Sequence, residues 1–112
     1  MKLDCKNVSI SEADGEIFQV LFSVDSDSED GPYLLLQRAF FEEDKEDQHD
    51  PCYVETHNVN LIGHYSDLDP KLTENQLILK LPSPADDIIE VNFEISSNKF
   101  RNLKEMLSII FR

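Results

Sequence analysis

The stretch that decides the fold is Ile89-Glu90-Val91-Asn92-Phe93-Glu94-Ile95-Ser96-Ser97-Asn98-Lys99-Phe100-Arg101-Asn102-Leu103-Lys104-Glu105-Met106-Leu107-Ser108-Ile109-Ile110. Its first seven residues alternate apolar with polar, the period of a half-buried strand. After Ser96 the period changes. Phe100, Leu103, Leu107 and Ile110 recur at three and four, with Met106 beside them. That is the spacing of an amphipathic helix, expected from about residue 98 to 110. Ser96 or Ser97 supplies a hydroxyl that accepts from an orphan N–H of its first turn. Lys99, Arg101 and Lys104 fall on its polar face.

Upstream, the two-residue period dominates. Asn7 to Ser11 alternates, Asp14-Gly15 is a hairpin dipeptide, and Phe18, Val20, Phe22 and Val24 share the next face. Tyr33 to Phe41 reads as a buried strand or a helical segment. Its shortness and the Gly31-Pro32 punctuation favour strand. Cys52 to Thr56 and Asn60 to Tyr65 are expected strands, with His57-Asn58-Val59 turning between them. Gln76 to Leu81 sets Leu77, Leu79 and Leu81 on one face. Ser83 to Asp87 is expected to make one helical turn. A helix with one apolar stripe needs a sheet face to cover. The expected fold is therefore α+β and strand-rich, a mostly antiparallel sheet of about six to seven strands with the C-terminal helix packed on it. Residues 1–112 are read as one domain, a normal domain length.

The charge excludes several partners. The 112 residues hold 23 acids against 10 bases, a formal net charge of -13. Such a chain is not expected to bind a phosphate backbone, and it has no polybasic run for anionic lipid. No stretch reaches the length of a membrane helix, and Met1-Lys2-Leu3-Asp4-Cys5-Lys6 lacks the apolar core of a signal peptide. A cytoplasmic location is expected. The charge is also uneven. Residues 25–50 hold 10 acids and 2 bases, whereas residues 99–112 hold 1 acid and 4 bases. Two acidic runs, Asp25 to Asp30 and Glu42 to Asp50, bracket the apolar Tyr33–Phe41 segment. Such runs are solvated, and they suit either a solubilising rim or a face for a cationic partner.

Little in the sequence carries catalysis or metal chemistry. Asp25, Asp27 and Glu29 begin like a calcium loop. Asp30 stands where that loop needs glycine and Leu36 where it needs a bidentate glutamate. His49, His57 and His64 have no metal-ligand spacing, although Glu55 and His57 share a strand face and form a plausible pair. Cys5 and Cys52 are expected as free thiols in a reducing compartment. Cys52 beside an acidic run is a poor nucleophile, because carboxylates suppress the thiolate. No enzyme activity, cofactor or catalytic residue is assigned. Tyr33, Tyr53 and Tyr65 offer ring area for contact beside acid, or serve as core-edge residues.

The run Tyr33-Leu34-Leu35-Leu36-Gln37-Arg38, the acidic stretch after it, Tyr53-Val54-Glu55, Gly63 ahead of a leucine-alternating strand, and Ile110-Phe111 together resemble the immunity protein 10 family of bacterial polymorphic toxin systems. The order holds over nearly the whole chain. It departs from the pattern at Asp50-Pro51-Cys52 and at His64, where a second glycine is usual. The resemblance implies a stoichiometric binder that neutralises a cognate toxin, with no catalytic residues to carry over. The expected partner is a basic toxin domain, a nuclease among the candidates. The expected contact surface is Asp25, Asp27, Glu29, Asp30, Tyr33, Glu42, Glu43, Asp44, Glu46, Asp47, Tyr53 and Glu55. An acidic regulatory or calcium-responsive module is the competing reading. The expected state is a monomer or weak homodimer, since edge strands permit self-pairing.

Overall fold

The computed structural model describes residues 1–13, 15–24, 31–39, 52–66, 68–83 and 85–111. Among them lie nine strands in two sheets and one C-terminal helix. The five-stranded sheet is an antiparallel meander of β2 (Asn7–Ala13), β3 (Ile17–Ser23), β4 (Tyr33–Ala39), β5 (Cys52–Thr56) and β6 (Gly63–Tyr65), in that spatial order. The four-stranded sheet has the order β1-β9-β8-β7, from β1 (Lys2–Cys5), β7 (Asp69–Thr73), β8 (Gln76–Leu81) and β9 (Asp87–Phe93). The β1–β9 pair is parallel and the other pairs are antiparallel.

The strand-rich α+β class is as expected. The strands exceed the expected six to seven, and they divide over two sheets. The chain crosses between the sheets twice, at Lys6 and again between Tyr65 and Asp69. The Lys6 N–H donates to the Ser23 carbonyl at 3.0 Å, so the chain leaves the four-stranded sheet at Cys5 and enters the five-stranded one at Asn7. β1 has only four residues, and β7 carries Pro70, which fits an edge strand lacking one donor.

Alternation then builds the interior. Ile89, Val91 and Phe93 face inward from β9, and Leu77, Leu79 and Leu81 from β8. Val20 and Phe22 face inward from β3, Leu34 and Leu36 from β4, and Val54 from β5. Ile95 lies beyond the end of β9 yet still packs on this cluster. Phe22 meets Phe93 across the two sheets at 5.8 Å between ring centroids. Each such fully buried side chain contributes about 1.5–3 kcal/mol.

The helix α1 (Ser97–Ile110) starts where the period changes. Ser96 is its N-cap, the hydroxyl accepting from the Lys99 N–H at 3.2 Å. Leu103, Leu107 and Ile110 are buried, and the helix lies chiefly against β3. Lys99, Arg101 and Lys104 are exposed. At its far end the Ile110 carbonyl accepts from Arg38 Nη1 at 3.3 Å. That bond explains a charged residue on the inner face of β4: a guanidinium there meets the negative end of the helix dipole and an orphan carbonyl.

Three local expectations change. The strand expected over residues 60–65 is shortened to Gly63–Tyr65, because Val59–Leu61 forms a 3-10 turn. Asn58 caps that turn, its Oδ1 accepting from the Asn60 N–H at 3.1 Å. β5 ends at Thr56, so Glu55 and His57 do not share a strand face. No helix is assigned over the described part of residues 83–87; Asp86 N–H donates to the Pro82 carbonyl at 3.2 Å, and Asp86 takes a left-handed φ of 46°. The opening hairpin is as read, with Ala13 paired to Ile17 and Gly15 at φ 67°. Phe40 and Phe41 lie outside the described residues.

Candidate functional site

The outward face of β4 and β5 holds the described part of the expected contact surface. β4 pairs with β5 so that Leu35 faces Glu55 and Gln37 faces Tyr53. Side chains two apart on a strand share a face. Tyr53 therefore stands beside Glu55 along β5, and Tyr33 beside it diagonally on β4. Both hydroxyls close on the one carboxylate. Tyr33 donates to Glu55 Oε2 at 2.8 Å, and Tyr53 donates to Glu55 Oε1 at 2.8 Å. Each oxygen thus takes one hydrogen bond with charge assistance, a class about twice as strong as a neutral pair.

The electrostatics lock the direction of those bonds. Burial, then the hydrogen bond and charge of Glu55, push the Tyr33 phenol up to about 12. The hydrogen bond to Glu55 is the main cause of the rise at Tyr53, followed by burial. Both phenols keep their protons at neutral pH and donate. Among the described residues no cation lies within salt-bridge distance of Glu55.

Two histidines flank the cluster. β5 and β6 pair Tyr53 with His64, and the rings stand 5.1 Å apart, tilted by 49°. His57 Nδ1 accepts from the Tyr33 backbone N–H at 3.4 Å. The contacts missed from sequence are the His64 ring against Tyr53 and the His57 acceptor for the Tyr33 N–H. The first depends on the length of the 3-10 turn between β5 and β6, which no periodic pattern encodes. Around them Leu21, Leu35, Gln19 and Gln37 are half-buried on the same face.

Three of the expected contact residues, Tyr33, Tyr53 and Glu55, therefore form one contact group. The other nine, Asp25, Asp27, Glu29, Asp30, Glu42, Glu43, Asp44, Glu46 and Asp47, lie outside the described residues, as does His49. Tyr65 takes the other role open to it. Its hydroxyl donates to the Leu61 carbonyl at 2.8 Å, and it packs at the edge of the core.

Both cysteines are free and buried. Burial raises the Cys52 thiol to about 11, and burial with the Asp4 charge raises Cys5 to about 11. Neither is a thiolate at neutral pH, so neither is poised as a nucleophile. Among the described residues no group of three or more His, Cys, Asp or Glu side chains is placed to share a metal ion, and no helix is long and apolar enough to cross a membrane.

The Tyr33–Arg38 run, which carries the family resemblance most specifically, now has two physical halves. Leu34, Leu36 and Arg38 face inward and hold the core and the helix end. Tyr33, Leu35 and Gln37 face outward beside Glu55 and Tyr53. No curated protein and no solved structure matches the chain. A family model described as Immunity protein 10 matches residues 4–103, from β1 into the middle of α1. With that span covering both sheets and the whole tyrosine–glutamate cluster, the chain belongs to the immunity protein 10 family.

Proposed function

We propose that this protein, acting as one domain, neutralises a cognate toxin in the cytoplasm by binding it stoichiometrically and covering its working surface. Family membership supports an immunity role. The observation that carries the mode of action is the outward face of β4–β5. A fixed carboxylate, two neutral phenols and half-buried leucines form a surface that packs and pairs at once. Rings with an adjacent polar tip supply contact area at low entropic cost.

The net charge of -13 points to a basic partner. A nuclease fits, because its substrate groove must be positive and an acidic protein competes for it. Complementary charge then speeds encounter, up to about 10⁸–10⁹ M⁻¹s⁻¹ at low salt. The acidic runs Asp25–Asp30 and Glu42–Asp50 serve this steering, while Tyr33, Tyr53 and Glu55 hold the docked partner. No cofactor is needed, and the working state is a monomer or weak homodimer.

The test is co-expression with the toxin domain encoded beside this protein, followed by stopped-flow association at several salt concentrations. Growth rescue and a one-to-one complex are expected. Charge reversal across both runs is expected to slow association and flatten its salt dependence. Unchanged kinetics would sink the steering role, and absence of a complex would sink the immunity reading.

A further inference from the structure

We infer that the Tyr33–Glu55–Tyr53 cluster, with the His64 ring beside it, is a receptor for a single arginine side chain of the protein partner. The inference deepens the binding reading above and rests on it for the source of the arginine.

The geometry is that of a half-built ion pair. A carboxylate has about four lone-pair positions on its two oxygens. At Glu55 one position on each oxygen is filled by a phenol at 2.8 Å, which fixes the plane of the group and leaves the remaining positions open. No cation among the described residues fills them. Glu55 is the only formally charged side chain on the outward faces of β3 to β6 among the described residues. A half-buried carboxylate without a cation is costly to maintain, and the unmet demand is for positive charge.

The surroundings select the kind of cation. Tyr53 and His64 present two rings 5.1 Å apart at 49° next to the carboxylate. A planar guanidinium stacks on such a wall while its fork meets both carboxylate oxygens. An ammonium is a compact, strongly hydrated point charge and gains neither. Half-buried Leu21 and Leu35 lie on the same face, within the pairing rows Ser9–Leu21–Leu35–Glu55, to take the aliphatic stem.

The experiment titrates the intact protein with N-acetyl-arginine amide and, separately, N-acetyl-lysine amide at constant ionic strength. The readouts are the Glu55 carboxyl carbon and the Tyr53 and His64 ring signals by NMR. Saturable shifts at all three with the arginine probe, and clearly smaller ones with the lysine probe, are expected. Glu55→Gln, which keeps the shape and an acceptor for the phenols, is expected to abolish the response while the amide spectrum stays folded. Equal shifts from both probes overturn the inference, because they report net charge alone. A response that survives Glu55→Gln also overturns it. The arginine–lysine contrast in the unaltered protein decides the matter even if the variant misfolds. Failure here with toxin rescue intact discards the receptor and leaves the immunity reading standing; a specific arginine response without a toxin complex does the reverse.

Discussion

The outward faces of the two sheets use the same device to different ends. On the four-stranded sheet the register lines up Asp4, Asn92 and Gln76 across β1, β9 and β8. Gln76 Nε2 donates to Asn92 Oδ1 at 2.9 Å and to Glu90 Oε1 at 3.0 Å, and Asn92 Nδ2 donates to Asp4 Oδ1 at 3.0 Å. Lys2 stands 3.9 Å from Glu90. Glu90 there is held by an amide and by a cation of the same molecule, and the exposed Asp4 by an amide at the side of an open groove of about 690 Å³. On the five-stranded sheet Glu55 is held by phenols only, among leucines and rings. The first face answers its half-buried carboxylate itself and leaves the exposed one to water. The second leaves one charge for something else to answer. A fixed carboxylate is therefore informative about binding only when its fixing groups leave the charge uncompensated.

The largest effect is expected where the comparison has to break, in the interior the sheets share. Phe22→Ala removes the ring that meets Phe93 across the sheets, and it is expected to cost about 3–5 kcal/mol. Urea unfolding followed by both circular dichroism and tyrosine fluorescence should show one shifted transition. Two separated transitions would mean that the sheets are energetically independent. Next comes the outer face of the five-stranded sheet. Glu55→Gln is expected to weaken toxin binding by about 2 kcal/mol through faster dissociation, with little change in the urea midpoint. Surface plasmon resonance against the toxin domain measures it.

The mirror experiment on the other face should give the opposite pattern. Gln76→Ala removes the link between Glu90 and Asn92, costs about 1 kcal/mol of stability, and leaves toxin dissociation unchanged. The smallest signal is a pH effect. The Tyr33 phenol lies near 12 when folded, against about 10 when unfolded. A raised value means that the folded state holds the proton more tightly. Its stabilising contribution is therefore complete below pH 10 and fades as pH rises toward 12. Absorbance at the phenolate band, compared with Tyr33→Phe, should lose one late-titrating tyrosine.

The regular elements were legible because their inward residues are apolar, Arg38 on β4 and Thr56 on β5 aside. Leu77, Leu79 and Leu81 give β8, and the switch after Ile95 gives α1. β4 was harder. Three adjacent leucines hide the alternation, and only the structure separates Leu35, on the outer face, from Leu34 and Leu36. The division into two sheets was not legible, because it turns on the bend at Lys6 and on the short return from Tyr65 to Asp69, neither of which has a glycine or proline to mark it. The site was legible as residues and not as a cluster. Tyr33, Tyr53 and Glu55 were each singled out, but their meeting depends on the β4–β5 register across the long connection between Ala39 and Cys52. Nothing in residue spacing counts hydrogen bonds across that gap.

The parallel pairing of the first strand with the last one has a consequence in time. Lys2 finds its place opposite Glu90, and Cys5 opposite Phe93. As the chain emerges from a ribosome, β1 has no strand to pair with until β9 has been made. The five-stranded meander is contiguous and its hairpins close early, yet its inner face waits for α1, which follows all nine described strands in the chain. Long-range closure of this kind slows folding. Capacity to bind should therefore appear late and all at once, only after β9 and α1 have been made, and a nascent fragment ending before Asp87 should protect nothing.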